Sequence, residues 1–283
     1  MDGVIVVDKP EGWTSQDVVG KMRRIANTKR VGHLGTLDPI ATGVLPVVIG
    51  KATRLARFYT RSDKIYEGIV RFGCSTDTYD RAGKPAGEPV EVQPDAAELE
   101  RHLGKFRGEL QQTPPPVSAK RVAGRRAYEL ARKGQPVELE LLELNGRDAK
   151  LRAHCSGGTY VRSIAHDLGQ SLGCGAHLLD LRRLASGEFE LAQARTIAQL
   201  ESLAADERLM DALVPAASLL PGFPSVIVDD LTAAHIRLGR NFPVSPFRSP
   251  SAARYVKAVS REGDLVAIGE AVLPNLYHPA VVL

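Results

Sequence analysis

Short apolar runs and one strict alternation of apolar and polar residues predict the strands of this chain. Residues 4–7 form a β-branched run that is typical of a buried strand, and residues 65–73 also predict a strand. Residues 149–155 alternate between apolar and polar side chains, which predicts a strand with one solvated face. Three shorter β-rich pieces follow near the carboxy terminus, at residues 226–228, 255–259 and 265–271.

Apolar residues at spacings of three and four predict the helices. Residues 14–17 resemble a capping box, and an apolar stripe follows them, so we expect a helix to begin there. A second helix is predicted at about residues 160–172, because Ile164, Leu168 and Leu172 form one apolar row. Further helices are predicted over residues 52–59, 96–106 and 197–213.

The order of these elements predicts an α+β fold. Strands and helices do not alternate in the regular rhythm of a doubly wound parallel sheet. Neither a GxGxxG nor a GxxxxGK string is present, which argues against a nucleotide cofactor. Prolines at 221 and 224 mark a boundary, so we expect one domain at residues 1–221 and a small β-rich domain at residues 222–283.

Composition and charge exclude several classes of protein. The cysteines are scattered with no CxxC spacing, which argues against a disulfide framework and a zinc site and favours a reducing cytoplasm. Asp2, Asp8 and Lys9 interrupt the first apolar run, so we expect no signal peptide. No apolar stretch approaches the roughly 20 residues of a membrane span. The net charge of +4 is compatible with a nucleic-acid partner and equally with an ordinary surface.

Residues 32–46 carry the strongest chemical signal. Three glycines and two prolines surround one carboxylate, Asp38, which predicts a loop throughout this stretch. Pro39 pushes Asp38 toward an extended conformation. A carboxylate on a stiff loop suits a nucleophile or a metal ligand, and an isolated Asp-Pro pair also fits a turn-capping aspartate. The residues alone leave these three roles open.

Five separated blocks together resemble the TruB family of tRNA pseudouridine synthases. The blocks are VDKP-x-G-x-TS at residues 7–15, GHLGTLDPIATGVLP at 32–46, DKIYE at 63–67, SGGTYVRS at 156–163, and GAHL with LRR at 175–183. One block alone would be a weak signal, but all five occur in the family's order. A further block at residues 115–134 departs from the pattern, with Val117 in place of a common tyrosine and Arg121 in place of a common lysine.

The resemblance implies a fold, a reaction and a partner. We expect the pseudouridine synthase fold, a central mixed, largely antiparallel sheet flanked by helices, in residues 1–221. Residues 231–240 and the β-rich pieces after them are similar to a PUA domain, a small RNA-binding module. The family converts the T-loop uridine of tRNA conventionally numbered 55 to pseudouridine. The product is an isomer, so we expect no cofactor and no metal ion, and we expect a cytoplasmic monomer without membrane contact.

The same resemblance names three catalytic residues. Asp38 would be the nucleophile, whether it attacks the anomeric carbon, attacks the uracil or promotes elimination to a glycal. Arg162 would keep that carboxylate ionised and oriented. By spacing alone, Arg162 points away from the row of Ile164 and would be a solvated helix residue. Tyr66 would stack on the target base and handle protons, although strand tyrosines are more often packed in a core.

Four residues would form the uridine pocket by this resemblance: His33, Tyr66, Tyr160 and Leu181. His33 would help to hold the flipped-out RNA, although a lone loop histidine would signify little. Tyr160 would line the pocket and Leu181 would be an apolar wall against uracil. Both also fit ordinary core residues.

Clusters of basic residues are candidates for contacts with RNA phosphates. The candidates are Lys51, Arg54, Arg57, Lys120, Arg121, Arg182 and Arg183. Each cluster also fits a solvated surface, so we expect only some of these residues to touch RNA.

Three functions fit this sequence. The leading hypothesis is a stand-alone enzyme that modifies tRNA. The second is a guide-RNA-dependent synthase, which would carry a fuller PUA domain and need protein partners. The third is a tRNA-binding or tRNA-folding protein without catalysis. The compact tail favours the first over the second, and the presence of Asp38, Tyr66 and Arg162 argues against the third.

Overall fold

The computed structural model describes residues 1–116, 132–245 and 253–283, with the backbone of residues 121–122 and 125–126. Of residues 132–135 it describes the backbone alone. The helices of this part are α1 Ser15–Ile25, α2 Ala96–Leu103, α3 Val161–Ser171, α4 Ile197–Ala205 and α5 Asp230–Arg237. Short 3₁₀ helices cover Gly50–Tyr59, Gly104–Phe106, Leu191–Gln193, Leu209–Ala212 and Ala216–Ser218.

The strands lie in a central sheet, a smaller carboxy-terminal sheet and a short ribbon. The strands of residues 1–221 are β1 Gly3–Lys9, β2 Val31–His33, β3 Ala41–Ile49, β4 Lys64–Phe72, β5 Gly108–Gln112, β6 Arg121–Val122, β7 Arg125–Arg126, β8 Arg132–Asn145, β9 Asp148–Cys155, β10 Ala176–Ser186, β11 Phe189–Glu190 and β12 Leu213–Pro215. The later strands are β13 Ser225–Ile227, β14 Phe242–Pro243, β15 Tyr255–Val259, β16 Leu265–Leu273 and β17 Leu276–Val282.

The central sheet is mixed and largely antiparallel, which confirms the predicted fold class. Its strands follow the order β12-β1-β3-β10-β4-β9-β8-β5, with β2 beside β3 and β11 beside β10. Only the pairing of β3 with β10 is parallel among its described pairs. Residues 4–7 of strand β1 are apolar, and both faces of the strand are covered there. Ile5 and Val7 belong to one core, which contains residues of α1, α2 and α3, while Val4 and Val6 belong to a second core.

The prediction of a loop throughout residues 32–46 is wrong. Only residues 34–40 lie outside strands, because β2 ends at His33 and β3 begins at Ala41. Strand β3 pairs with β1 over seven residues and is almost wholly buried. Gly32, Gly43 and Pro46, which indicated a loop, lie within the strands of the sheet. Gly43, at φ +95°, lies so close to β10 that a Cβ would stand 2.2 Å from the carbonyl oxygen of Arg183.

The capping box predicted before the first helix is present, whereas one of the other helix predictions is too long. Thr14 accepts a hydrogen bond from the backbone N–H of Asp17, and Asp17 reaches back to Thr14, so the predicted capping box is confirmed. The helix predicted over residues 197–213 is too long. Helix α4 ends at Ala205, and the backbone of Glu207 has a φ of +59°, which an α-helix cannot accommodate.

Residues 50–59 form a 3₁₀ helix instead of the predicted α-helix. Its Leu55 is fully buried, and Phe58 packs against the rings of Phe223 and Tyr255. The side chains of Lys51, Arg54 and Arg57 are exposed, and Nη1 of Arg54 donates to the carbonyl oxygen of Val282 at 2.6 Å. This 3₁₀ helix therefore lies between the central sheet and the carboxy-terminal region.

The carboxy-terminal sheet has the order β13-β15-β16-β17-β14, with α5 packed on it. Lys257 of β15 is buried, and its Nζ donates to the carbonyl oxygens of Ala217 and Leu219, each at 3.0 Å. These bonds tie the sheet to the segment that precedes it. The division into domains at residues 221 and 222 stays a prediction. Within the described ranges, no helix is both long and apolar enough to cross a membrane.

We expect Gly43→Ala to destabilise the protein more than Gly146→Ala. Both glycines have positive φ, +95° and +57°, so each substitution strains the backbone by about 1 kcal/mol. Only the Cβ at residue 43 would meet another backbone atom, since nothing lies within 4 Å of a Cβ at residue 146. Overpacking of this kind adds about 1–3 kcal/mol. Urea unfolding measures the difference, and equal losses for the two variants would contradict this account of β3.

Candidate active site

A cavity of about 450 Å³ opens beside Asp38. It lies between the loop after β2, the 3₁₀ helix Gly50–Tyr59, strand β4 and the amino-terminal end of α3. The lining residues are 33–38, Ala56, Arg57, Tyr59, Thr60, Lys64, Tyr66, 157–162 and Leu181. Each of the predicted catalytic and pocket residues therefore lines one cavity, although they come from distant parts of the sequence.

Arg162 contacts both oxygens of the Asp38 carboxylate. Its Nη2 donates to Oδ1 at 3.0 Å, and its Nε lies 2.9 Å from Oδ2. The side chain of Asp38 is 35% exposed and faces the cavity, whereas that of Arg162 is only 7% exposed. A planar guanidinium that meets both carboxylate oxygens fixes the direction of the carboxylate as well as its charge.

The interpretation of Arg162 as a solvated helix residue, which follows from spacing alone, is wrong. The residue is buried because a second set of acceptors covers it. Its Nη1 donates to the carbonyl oxygen of Thr78 at 3.0 Å and lies 3.3 Å from Oδ2 of Asp80. The apolar row marks one side of α3, but a buried polar contact on another side leaves no trace in the apolar pattern.

Asp80 also contacts Arg162, and the sequence did not indicate this contact. It lies in the polar stretch after β4, yet it is buried. Its Oδ1 accepts from the hydroxyl of Thr78 at 2.7 Å and from the backbone N–H of Ala82 at 3.0 Å. One guanidinium, that of Arg162, thus stands between two carboxylates. Nothing in the local composition distinguishes this aspartate from an exposed loop aspartate.

The ionisation of Asp38 is set by opposing influences. Burial raises the pKa of the Asp38 carboxyl above its usual range, while the charge and hydrogen bond of Arg162 lower it. The negative charge of Asp80 raises the pKa again, and Lys9 lowers it slightly. The site therefore holds a carboxylate whose ionised form depends on its cationic neighbours.

Lys9 is a second buried cation that the sequence showed only as part of a block. It is fully buried at the end of β1, and its Nζ donates to the carbonyl oxygens of Pro10, Trp13 and Pro39 at 2.9, 2.6 and 3.3 Å. Burial lowers the pKa of Lys9 to about 8, although Asp38 opposes this shift. Because Pro39 follows Asp38 directly, Lys9 holds the backbone of the loop that carries Asp38.

Tyr66 and Leu181 form the floor of the cavity, at 7% and 5% exposure. They come from neighbouring antiparallel strands, since β4 and β10 pair residue by residue in this region. Burial raises the pKa of the Tyr66 hydroxyl, while the nearby Arg183 lowers it. A neutral phenol beside an apolar side chain makes a surface on which a planar base can lie.

His33 and Tyr160 complete the cavity wall. Nδ1 of His33 accepts from the backbone N–H of Gly35 at 3.3 Å, and burial lowers the pKa of the imidazole, so it favours the neutral form. The backbone of Tyr160 is fixed by Gln112, whose side chain accepts from its N–H at 2.9 Å and donates to its carbonyl oxygen at 3.0 Å.

Arg183 is buried, so its predicted phosphate contact is wrong. The side chain has no exposed surface. Its Nε donates to the carbonyl oxygen of Val44 at 2.6 Å, its Nη2 to that of Gly35 at 3.1 Å and its Nη1 to that of Thr36 at 3.4 Å. Arg183 therefore supports the backbone on either side of Asp38.

The other basic candidates differ in how they are placed. Arg182 is partly exposed and pairs with Asp8 at 2.8 Å, so its phosphate contact stays a prediction. Lys51, Arg54 and Arg57 are exposed on the 3₁₀ helix, and Arg57 lines the cavity. The side chains of Lys120 and Arg121 lie outside the described residues. Among the residues that are described, no three His, Cys, Asp or Glu side chains are grouped to hold a metal ion.

Family models match most of the chain. Residues 23–161 match the TruB family pseudouridylate synthase (N terminal domain), and residues 162–221 match the tRNA pseudouridylate synthase B C-terminal domain. The chain is 72% identical to the tRNA pseudouridine synthase B of Solibacter usitatus, over 100% of both chains. It is 41% identical to the tRNA pseudouridine synthase B of Aquifex aeolicus, over 87% of this chain and 89% of that one.

Solved structures show the same fold. The archaeal box H/ACA sRNP Nop10-Cbf5 complex matches with a TM-score of 0.74 at 27% identity, over 99% of this chain and 85% of that one. An H/ACA RNP bound to a substrate RNA containing 2'-deoxyuridine matches with a TM-score of 0.72 at 26% identity, over 99% and 84%. The cavity, its arginine-held aspartate and the fold thus occur in a chain whose relatives are synthases of pseudouridine. The chain belongs to the TruB family of pseudouridylate synthases.

Two substitutions are expected to move the pKa of Asp38 in opposite directions. Arg162→Met removes the cation that favours the carboxylate, so the pKa should rise. Asp80→Asn removes the anion that disfavours it, so the pKa should fall. A ¹³C NMR titration of the side-chain carboxyl measures both shifts.

Arg208→Met provides the control for these titrations, because Arg208 pairs with Asp211 at an exposed position outside the cavity lining. It should leave the Asp38 titration unchanged. A shift in the same direction for Arg162→Met and Asp80→Asn would contradict the proposed balance of charges.

Proposed function

We propose that the protein isomerises a uridine of tRNA to pseudouridine, at the T-loop position conventionally numbered 55. The observation that carries the proposal is the Asp38 carboxylate, held by Arg162 at the edge of a cavity. The family models and the tRNA pseudouridine synthase B relatives support the same reaction. The TruB resemblance gives the T-loop position.

Asp38 is the nucleophile in this proposal. The reaction breaks the N-glycosidic bond, rotates the uracil and joins C5 to the same sugar carbon. Attack on the anomeric carbon, attack on the uracil ring and elimination to a glycal each need an ionised carboxylate beside the nucleoside. Arg162 supplies the positive charge that keeps Asp38 ionised despite its burial. The product is an isomer of the substrate, so the reaction consumes no cofactor.

The cavity receives the uridine after it has left its stack. Base flipping costs a few kcal/mol, which contacts inside the cavity must offset. Tyr66 stacks on the uracil and offers its hydroxyl for proton transfer, with Leu181 as the apolar wall beside it. Tyr160 lines the opposite side, and His33 holds the RNA at the entrance.

Exposed cations beside the cavity contact the RNA backbone. Lys51, Arg54 and Arg57 share the exposed side of the 3₁₀ helix, and Arg57 reaches the cavity itself. A phosphate chain entering the cavity would pass along this row. Lys120, Arg121 and Arg182 remain predicted contacts, as do the cytoplasmic location and the monomeric state.

The comparisons favour the stand-alone enzyme over the guide-dependent one. The matched solved structures are the archaeal box H/ACA sRNP Nop10-Cbf5 complex and an H/ACA RNP bound to a substrate RNA, and this chain is only 26–27% identical to them. The relative that matches this chain from end to end at 72% identity is a tRNA pseudouridine synthase B. A purely tRNA-binding or tRNA-folding function would leave the paired Asp38 and Arg162 without a role.

We expect purified protein alone to modify an unmodified tRNA transcript at one T-loop uridine. Pseudouridine is mapped by carbodiimide treatment and primer extension. Asp38→Ala should abolish the new stop because the nucleophile is gone, while tRNA binding persists. Asp206→Ala, which removes an exposed carboxylate that does not line the cavity, is the matched control and should retain full activity.

Each alternative outcome has a distinct meaning. Tight tRNA binding without modification by the wild-type protein would favour the guide-dependent or the non-catalytic function. Modification that survives Asp38→Ala would show that another residue is the nucleophile. A primer-extension stop outside the T-loop would support a pseudouridine synthase but contradict the proposed position of modification.

A further inference from the structure

Two side chains outside the cavity form a face-to-face stack next to the catalytic arginine. The rings of Tyr79 and His166 lie 3.7 Å apart between centroids and only 10° from parallel. Neither residue lines the cavity. Tyr79 lies in the loop after β4 and His166 lies on α3, so the stack joins two separate segments.

The backbone of Tyr79 adopts a conformation that favours glycine. Its φ is +65°, which is uncommon for a bulky residue and persists only where the surroundings enforce it. The backbone N–H of Tyr79 donates to the carbonyl oxygen of Thr76 at 3.2 Å, and its carbonyl oxygen accepts from the N–H of Leu178 at 3.0 Å. The loop is therefore held in one shape around this residue.

The residues on either side of Tyr79 are the ones that hold Arg162. The carbonyl oxygen of Thr78 accepts from Nη1 at 3.0 Å, and the Asp80 carboxylate lies 3.3 Å from the same nitrogen. His166 stands four residues after Arg162, one helical turn further along α3. The stack thus connects the helix that carries Arg162 to the loop that supplies its acceptors.

The imidazole of His166 is held by packing. Its Nδ1 is buried and makes no hydrogen bond. Burial lowers the pKa of this ring, although the neighbouring Asp167 opposes the shift, so the neutral form is favoured. A buried ring nitrogen that served in hydrogen bonding would have a partner. The imidazole of His166 therefore contributes its flat face to the stack with Tyr79.

We propose that the stack of Tyr79 on His166 is a positioning element: it fixes the loop that presents Thr78 and Asp80 to Arg162, and so aligns Arg162 with Asp38. The inference rests on the proposed function, because it assigns the stack a purpose within that reaction. Tyr79 and His166 are positioning residues that touch neither the substrate nor the reacting atoms.

The test compares variants that keep a flat ring with variants that lose it. His166→Phe and Tyr79→Phe keep the stack, whereas His166→Ala and Tyr79→Gly remove one ring. Tyr79→Gly also relieves the strained backbone, so strain cannot cause its loss of rate. The rate of pseudouridine formation in a single turnover is measured across pH, with tRNA affinity measured separately.

We expect His166→Ala and Tyr79→Gly to slow the single turnover by about tenfold or more, because small misplacements of catalytic groups are costly. Affinity for tRNA should remain unchanged. The acid limb of the rate profile should move to higher pH. The charged groups around Asp38 are Arg162, Asp80 and Lys9. If Arg162 is held less firmly, it stabilises the Asp38 carboxylate less, so the pKa of Asp38 rises. Both phenylalanine variants should stay close to the wild-type rate and profile.

Three results would overturn the inference. Rates and acid limbs equal to the wild type in His166→Ala and Tyr79→Gly would show that the stack positions nothing. A loss in His166→Phe as large as that in His166→Ala would assign the role to the imidazole nitrogens. Weaker tRNA binding with an unchanged rate would place the pair in RNA contact.

If the wild type forms no pseudouridine, the proposed function fails. The ¹³C titration of Asp38 in His166→Ala still tests the inference, and an unchanged pKa of Asp38 would contradict it.

Discussion

The contact between Arg162 and Asp38 is the interaction on which the rest of the site depends. A buried guanidinium is costly unless its donors are paired, and Arg162 pairs them with acceptors from two different segments. Asp38 comes from the loop after β2, and Thr78 and Asp80 come from the loop after β4. One side chain on α3 therefore draws these loops together around the mouth of the cavity. Loss of Arg162 would leave the carboxylates of Asp38 and Asp80 without their shared cation, whereas loss of one carboxylate would leave Arg162 paired with the other.

Two more buried cations hold the catalytic loop by its backbone. Arg183 binds the carbonyl oxygens of Gly35, Thr36 and Val44, and Lys9 binds that of Pro39. These bonds fix the path of the chain on both sides of Asp38, while Arg162 fixes its carboxylate. The loop thus needs no regular secondary structure of its own to hold a defined shape. The charges of Arg162 and Lys9 also favour the ionised form of Asp38, which burial opposes.

The sequence predicted the elements whose signals are local. The capping box before α1, the alternation in β9 and the apolar row of α3 need only neighbouring residues, and each of them is present. Strand β3 was missed because its glycines and prolines indicate a loop unless the strands that cover them are known. The resemblance named Asp38, Tyr66 and Arg162, but spacing alone placed Arg162 in solvent. The burial of Arg183 and the role of Asp80 depend on long-range contacts, which no local pattern records.

The central claim is that Arg162 acts through the geometry of its planar guanidinium, which meets both oxygens of Asp38, as well as through its charge. Arg162→Lys keeps the charge and removes the planar guanidinium. The direct measurement is its single-turnover rate of pseudouridine formation, with tRNA affinity determined alongside. We expect the rate to fall by about 100-fold or more while the affinity stays within about twofold of the wild type. A lysine variant that reacts at nearly the wild-type rate would contradict the account, because charge alone would then suffice to prepare Asp38.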